Sequence, residues 1–160
     1  MTAHETVEPA LVAGGQFLTF RLGSEQFGLE ILRVQEIKGY TAVTAIPNTP
    51  AHVKGVMNLR GAVVPVVDLR LKFGMPEVEY TKFTVIVLVT VNGKMVGLVV
   101  DAVSDVLTLA ASDVVAPPAL DASVDTSFIT ALAKAGDGLI SLLDIDRVVG
   151  SEEPARAEAA

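Results

Sequence analysis

Val85-Ile86-Val87-Leu88-Val89-Thr90-Val91-Asn92-Gly93-Lys94-Met95-Val96 decides the fold class. A run of β-branched and leucine side chains meets an Asn-Gly dipeptide, whose residues tolerate the positive φ angles of a type I′ turn, and then reverses. The segment reads as a β-hairpin. Its apolar runs fall far short of the roughly 18 residues a membrane span requires, so they read as buried strands. A second hairpin lies 69 positions upstream, where Gln16 to Phe27 alternates Leu18, Phe20 and Leu22 with Phe17, Thr19 and Arg21 and turns at Gly23-Ser24.

The segments after the two hairpins match at the same offset. Gly28-Leu29-Glu30-Ile31-Leu32-Arg33-Val34-Gln35-Glu36-Ile37 aligns with Gly97-Leu98-Val99-Val100-Asp101-Ala102-Val103-Ser104-Asp105-Val106. Further on the offset grows to 76: His52 to Met57 aligns with Phe128 to Ala133, and Ala62 to Asp68 with Gly138 to Asp144. One strand pattern is used twice. The growth places an insertion between Leu107 and Asp125 of the second copy, expected as a long surface loop. Taken alone, Ser127 to Lys134 also fits a short amphipathic helix; its counterpart at Val53 to Met57, between Pro50 and a run of valines, favours a strand. Each copy closes with an aspartate, Asp68 or Asp144, placed to cap one helical turn.

About five short strands per copy with Gly, Pro and Asn punctuation favour closed barrels, because closure removes exposed edges. The expectation is all-β with short terminal helical turns, as two intertwined five-stranded SH3-like barrels. Residues 16–149 would form one domain of two pseudo-repeated subdomains, about 16–85 and 86–149, with strands exchanged between them. Residues 1–15 and 150–160 carry no periodic apolar pattern and read as disordered tails. The first of them lacks the basic flank and apolar run of a signal peptide.

The chain has no cysteine, which removes disulfides, thiolate nucleophiles and cysteine-based metal sites. Its net charge of −7 repels phosphate backbones and anionic headgroups, so neither nucleic acid nor direct membrane insertion is expected. A competing class remains a small barrel that binds nucleic acid or a short ligand on one strand face. Aromatic content of 5% without tryptophan gives such a barrel little to stack bases on.

No phosphate-binding glycine loop, metal-spaced histidine pair or Gly-x-Ser-x-Gly elbow is present, so no enzyme, cofactor or metal is expected. His4 falls in the first tail, and His52 reads as structural. Asp68 and Asp144 occupy equivalent places in separate copies, which suits capping better than a catalytic carboxylate pair. Glu36, Asp101 and Asp105 read as solvent-facing strand or turn residues.

One stretch stands out, from Ile46-Pro47-Asn48-Thr49-Pro50 through Gly55-Val56-Met57-Asn58-Leu59-Arg60-Gly61 to Val63-Val64-Pro65-Val66-Val67-Asp68. Two prolines fix an extended approach, Gly55 permits close backbone contact, and Asn58-Leu59-Arg60-Gly61 forms a tight turn with a guanidinium beside a leucine at its tip. Val63 and Val64 then resume the barrel wall. An ordinary turn with a solvated arginine is the plain alternative. In the second copy the turn is Lys134-Ala135-Gly136-Asp137, so folding alone does not demand the arginine.

On these residues the chain resembles the CheW family of chemotaxis coupling proteins over about Gln16 to Val149. The likeness rests on Ile31 to Ile37, on the stretch from Ile46 to Leu69, on Gly97 to Val106, and on Leu142-Leu143-Asp144. It implies a non-catalytic cytoplasmic adaptor, recruited to membrane-associated arrays, that joins the signalling tips of methyl-accepting chemoreceptors to the histidine kinase CheA. Receptor docking would then use Val34, Glu36, Asn58, Leu59 and Arg60, with Val103 and Val106 opposite. Kinase contact would resemble barrel packing on the kinase's regulatory domain. Pro117, Pro118 and Leu120 on the inserted loop are candidates for that contact or for a ring contact, and a loop tip folded back on its barrel is the alternative. The chain is expected to be a monomer in isolation, with ring assembly in arrays an open alternative. Its length leaves no room for a phosphotransfer, ATPase or receiver domain, so a freestanding coupling protein is expected.

Overall fold

Both hairpins form where the alternation places them: β1 (Gly14–Leu22) with β2 (Glu25–Glu30), and β6 (Val85–Val91) with β7 (Lys94–Val100). Asn92 and Gly93 hold φ of 53° and 77°, the turn geometry that this dipeptide favours. The structure, a computed structural model, describes residues 14–41, 43–116, 128–136 and 138–149. The first copy continues through a 3₁₀ turn (Ile31–Arg33), β3 (Val34–Gly39), β4 (Val53–Leu59), β5 (Ala62–Asp68) and the helical turn α1 (Leu69–Lys72). The second continues through β8 (Ala102–Ala110), β9 (Val114–Val115), β10 (Ile129–Ala135), β11 (Gly138–Leu143) and α2 (Ile145–Val149).

Among the described residues these strands make two sheets, ordered β8-β1-β2-β11-β10-β9 and β3-β6-β7-β5-β4. Each hairpin is built into the sheet of the other copy. Parallel contacts stitch the hairpins in, with Leu142 opposite Gly28 and Val66 opposite Gly97. Glycine lets the strands pack closely at both places: an added Cβ would lie 2.9 Å from a Leu142 methyl and 2.8 Å from an Ile86 methyl, and those side chains would have to shift. The sheets close as two SH3-like barrels. The Thr44–Val56 bridge joins the edges of the five-stranded one, and β9 continues β8 round to β10 in the other. At the first seam Gly55 has φ 140°, and a Cβ there would overlap the Thr44 carbonyl oxygen.

Among the described residues three clusters form the core. Met57, Leu59, Val64, Val66, Ile86, Leu88 and Val99 fill the five-stranded barrel, and Phe17, Leu109, Ala131, Ala133, Ile140 and Leu142 the six-stranded one. Between the barrels lies the largest core, with Leu18, Phe20, Leu22, Val87, Val89 and Val91 from the hairpins and Val148 and Val149 from α2. Each hairpin therefore buries both faces, one in its barrel and one between barrels. Unbroken apolar runs such as Val85 to Val89 are the consequence.

The helical turns start at the expected caps: Asp68 accepts the Leu71 N–H at 3.3 Å, and Asp144 accepts that of Asp146 at 3.1 Å. Of Ser127 to Lys134, Ile129 to Lys134 are strand, within β10. The expected loop from Leu107 is corrected over its first part. Strand β8 runs on to Ala110 because Leu107 and Leu109 pair with Phe17 and Gly15 of β1, and a 3₁₀ turn then leads into β9. Among the described residues no helix is long and apolar enough to cross a membrane.

Candidate functional site

Arg60 and Gly61 turn the chain between β4 and β5, with φ of 50° and 91°. Positive φ is costly for a residue with a Cβ, and the second copy places Gly136, φ 61°, at the position equivalent to Arg60. An arginine is kept where glycine would fit better. Asn58 holds the turn by accepting the Gly61 N–H on its side-chain oxygen at 3.0 Å. The Arg60 side chain, 68% exposed, reaches across the barrel seam to donate to Glu36 Oε1 at 2.8 Å. That hydrogen bond, opposed by partial desolvation and aided by the charge attraction, holds the Glu36 carboxyl below the ordinary glutamate value. The same contact raises Arg60.

Strand alternation sorts the other expected contact residues. Leu59 turns inward, 6% exposed in the core of the five-stranded barrel, because its neighbours Asn58 and Arg60 face out. It supports the turn from beneath and is not a leucine displayed at the tip, which corrects the sequence reading. Val63 resumes the barrel wall on β5 as expected, with its side chain facing out, 68% exposed, opposite Asn58. Val34 and Val103 occupy equivalent places and pack half-buried against the core between the barrels. Val106 is exposed on β8, as is its counterpart Ile37 on β3, which the sequence reading left out. Pro117, Pro118 and Leu120 lie outside the described residues.

The barrels are clasped by two ion pairs of opposite polarity. Arg70 on α1 donates to Asp101 Oδ1 and Oδ2 at 2.8–3.1 Å, and Asp101 also accepts the Gly23 N–H at 2.7 Å. On the other side Asp146 of α2, equivalent in place to Arg70, receives Arg33 at 2.6 Å, and Arg33 further donates to the Thr90 carbonyl. Asp101 is thus a joint between barrels and not the solvent-facing residue expected. Burial pushes its carboxyl up, but the Arg70 and Gly23 hydrogen bonds and the charge of Arg70 outweigh that and leave it below the ordinary aspartate value. Asp68 is also more than a cap, since it accepts the Tyr80 hydroxyl at 2.6 Å. Burial, with Asp68 beside it, raises that phenol. Among the described residues no group of three or more His, Asp or Glu could hold a metal ion.

A family model described as the CheW-like domain matches residues 16–153. The chain belongs to the CheW-like domain family. It is 45% identical to the chemotaxis protein CheW of Klebsiella aerogenes over 142 residues, covering 89% of this chain and 86% of that protein. With the CheW of Rhizobium meliloti it shares 40% identity, covering 88% of this chain and 90% of the relative. Among solved structures, the scaffolding protein TtCheW from Thermoanaerobacter tengcongensis superposes with a TM-score of 0.76 at 34% identity, over 82% of this chain and 89% of that one. The CheW-like fold is therefore shared along most of both chains.

Proposed function

We infer that this chain is a non-catalytic chemotaxis adaptor that couples methyl-accepting chemoreceptors to the histidine kinase CheA. Membership of the CheW-like family supports the scaffold role. The observation that carries the docking site is Arg60. Backbone strain kept at an exposed position, where the internal copy shows that glycine closes the same turn, points to use by a partner. Asn58, Glu36 and the exposed Val63 surround it with polar and apolar contact area.

The receptor tip docks on this face, with Arg60 and Glu36 setting register by charge complementarity and Val34, Val103 and Val106 offering apolar contact. Leu59 acts from within the barrel. The kinase's regulatory domain packs against a barrel, and Pro117, Pro118 and Leu120 stay candidates for that contact. The adaptor works in the cytoplasm at receptor arrays. Binding of a receptor signalling-tip fragment to Arg60→Glu tests the site: affinity falls by about tenfold or more with the circular dichroism spectrum unchanged. Unchanged affinity would remove Arg60 from the interface.

A further inference from the structure

The two barrels fill their mouths differently. In the five-stranded barrel Leu88 is fully buried in one cluster with Leu59, Met95 packs on that cluster, and Arg60, next to Leu59 in the chain, pairs with Glu36. Strand register identifies the matching places in the six-stranded barrel. Glu36 lies opposite Leu88, and Asp105 opposite Thr19; Leu59 lies opposite Ala62, and Ala135 opposite Gly138. Thr19 therefore stands for Leu88, Gln26 for Met95, Ala135 for Leu59 and Gly136 for Arg60.

Three large apolar side chains are thus replaced by smaller or polar ones, and a groove of about 360 Å³ opens where they would be. Thr19 and Asp105 are among its lining residues. The Thr19 hydroxyl is satisfied by the Asp105 backbone, donating to its carbonyl at 3.0 Å and accepting its N–H at 3.1 Å. The Asp105 carboxylate accepts the Val106 N–H at 2.8 Å, and among the described residues no arginine reaches it as Arg60 reaches Glu36. Leu139, 58% exposed, stands at the rim in the place of Val63.

We propose that this groove is a binding site for an aliphatic side chain with an adjoining guanidinium, presented by a partner protein. The first copy shows the fit, because there the chain supplies the pair itself as Leu59 and Arg60. In the second, the acceptor carboxylate remains, Leu107, Leu139 and Ile140 supply the apolar lining, and the occupants are Ala135 and Gly136. A guanidinium on Asp105 makes a charge-assisted hydrogen bond, and a leucine-sized side chain beside it buries area against Ile140 and Leu107. A second copy cannot present the pair, because its Leu59 is buried in the core of its own barrel, so the occupant comes from a different chain. The groove lies on the six-stranded barrel next to Val106 of β8, and it is inferred from the comparison of the two copies and not from the receptor reading.

The test is a titration of the intact, isotope-labelled protein with a blocked octapeptide of residues 56–63 and with its Arg60→Glu form, followed by amide chemical shifts. The arginine peptide shifts Thr19, Gln26, Asp105 and Leu139 with an apparent Kd on the order of 1–10 mM, and the glutamate form leaves them in place. Asp105→Asn weakens the arginine peptide about tenfold. Ala135→Leu/Gly136→Arg, which installs the pair in cis, removes the response. Shifts confined to other residues, an equal response to both peptides, or no response by about 10 mM would overturn the proposal.

Discussion

Arg60 and Glu36, 24 residues apart, meet at 2.8 Å across the seam of the five-stranded barrel. So exposed an ion pair contributes little to folding, while the positive φ of Arg60 opposes it. Arg60→Gly should therefore melt no lower than the parent, yet lose receptor-tip binding. Thermal unfolding and a binding isotherm on the same sample separate the two, and a clearly lower Tm would show that Arg60 serves the fold.

The Glu36 carboxyl should titrate below the ordinary glutamate pKa of about 4.3. Its folded value is depressed, so the pair's contribution is present above the ordinary value and fades as pH falls through the folded one. Carboxyl carbon shifts followed through an acid titration read the midpoint directly. Arg60→Gln should move it upward, and an identical midpoint in both proteins would mean that the contact does not persist in solution.

The Arg70–Asp101 clasp should matter more to stability, because Arg70 is mostly buried and holds both carboxylate oxygens and the Pro76 carbonyl. Arg70→Met should cost about 2 kcal/mol in urea unfolding. The Asp101 pKa is depressed, so the advantage of the parent over Asp101→Asn should be full at neutral pH and shrink below about pH 4. An advantage that grew on acidification would contradict the assigned charge state.

Gly55→Ala should disrupt the seam, since its Cβ would overlap the Thr44 carbonyl and positive φ adds strain. A loss of at least about 3 kcal/mol is expected, with early hydrogen exchange of the Thr44 and Val56 amides, which pair with each other's carbonyls. Unaltered exchange at those two amides would mean that the seam tolerates the methyl group.

The hairpins, the duplication and the capping aspartates were legible because each is written in local residue types: Asn92-Gly93, a repeated Gly-Leu, an Asp before a helical turn. The partners of the exchanged hairpins were harder to read, since self-similarity says which strands are alike and not which strands pair. Arg70 was missed and Asp101 misread for the same reason; they lie 31 residues apart and meet only when β7 joins β5. The inward turn of Leu59 and the outward turn of Val63 depend on register, which a one-residue shift would reverse. The contrast between Leu88 and Thr19 was present in the aligned copies, but only the structure shows that both face a barrel interior.

Co-sedimentation with assembled receptor signalling tips, with and without CheA, tests the adaptor reading most directly. The protein should pellet with the tips alone, raise the amount of kinase that pellets with them, and lose both effects as Arg60→Glu. A protein that stays in the supernatant with tips and kinase alike would contradict it.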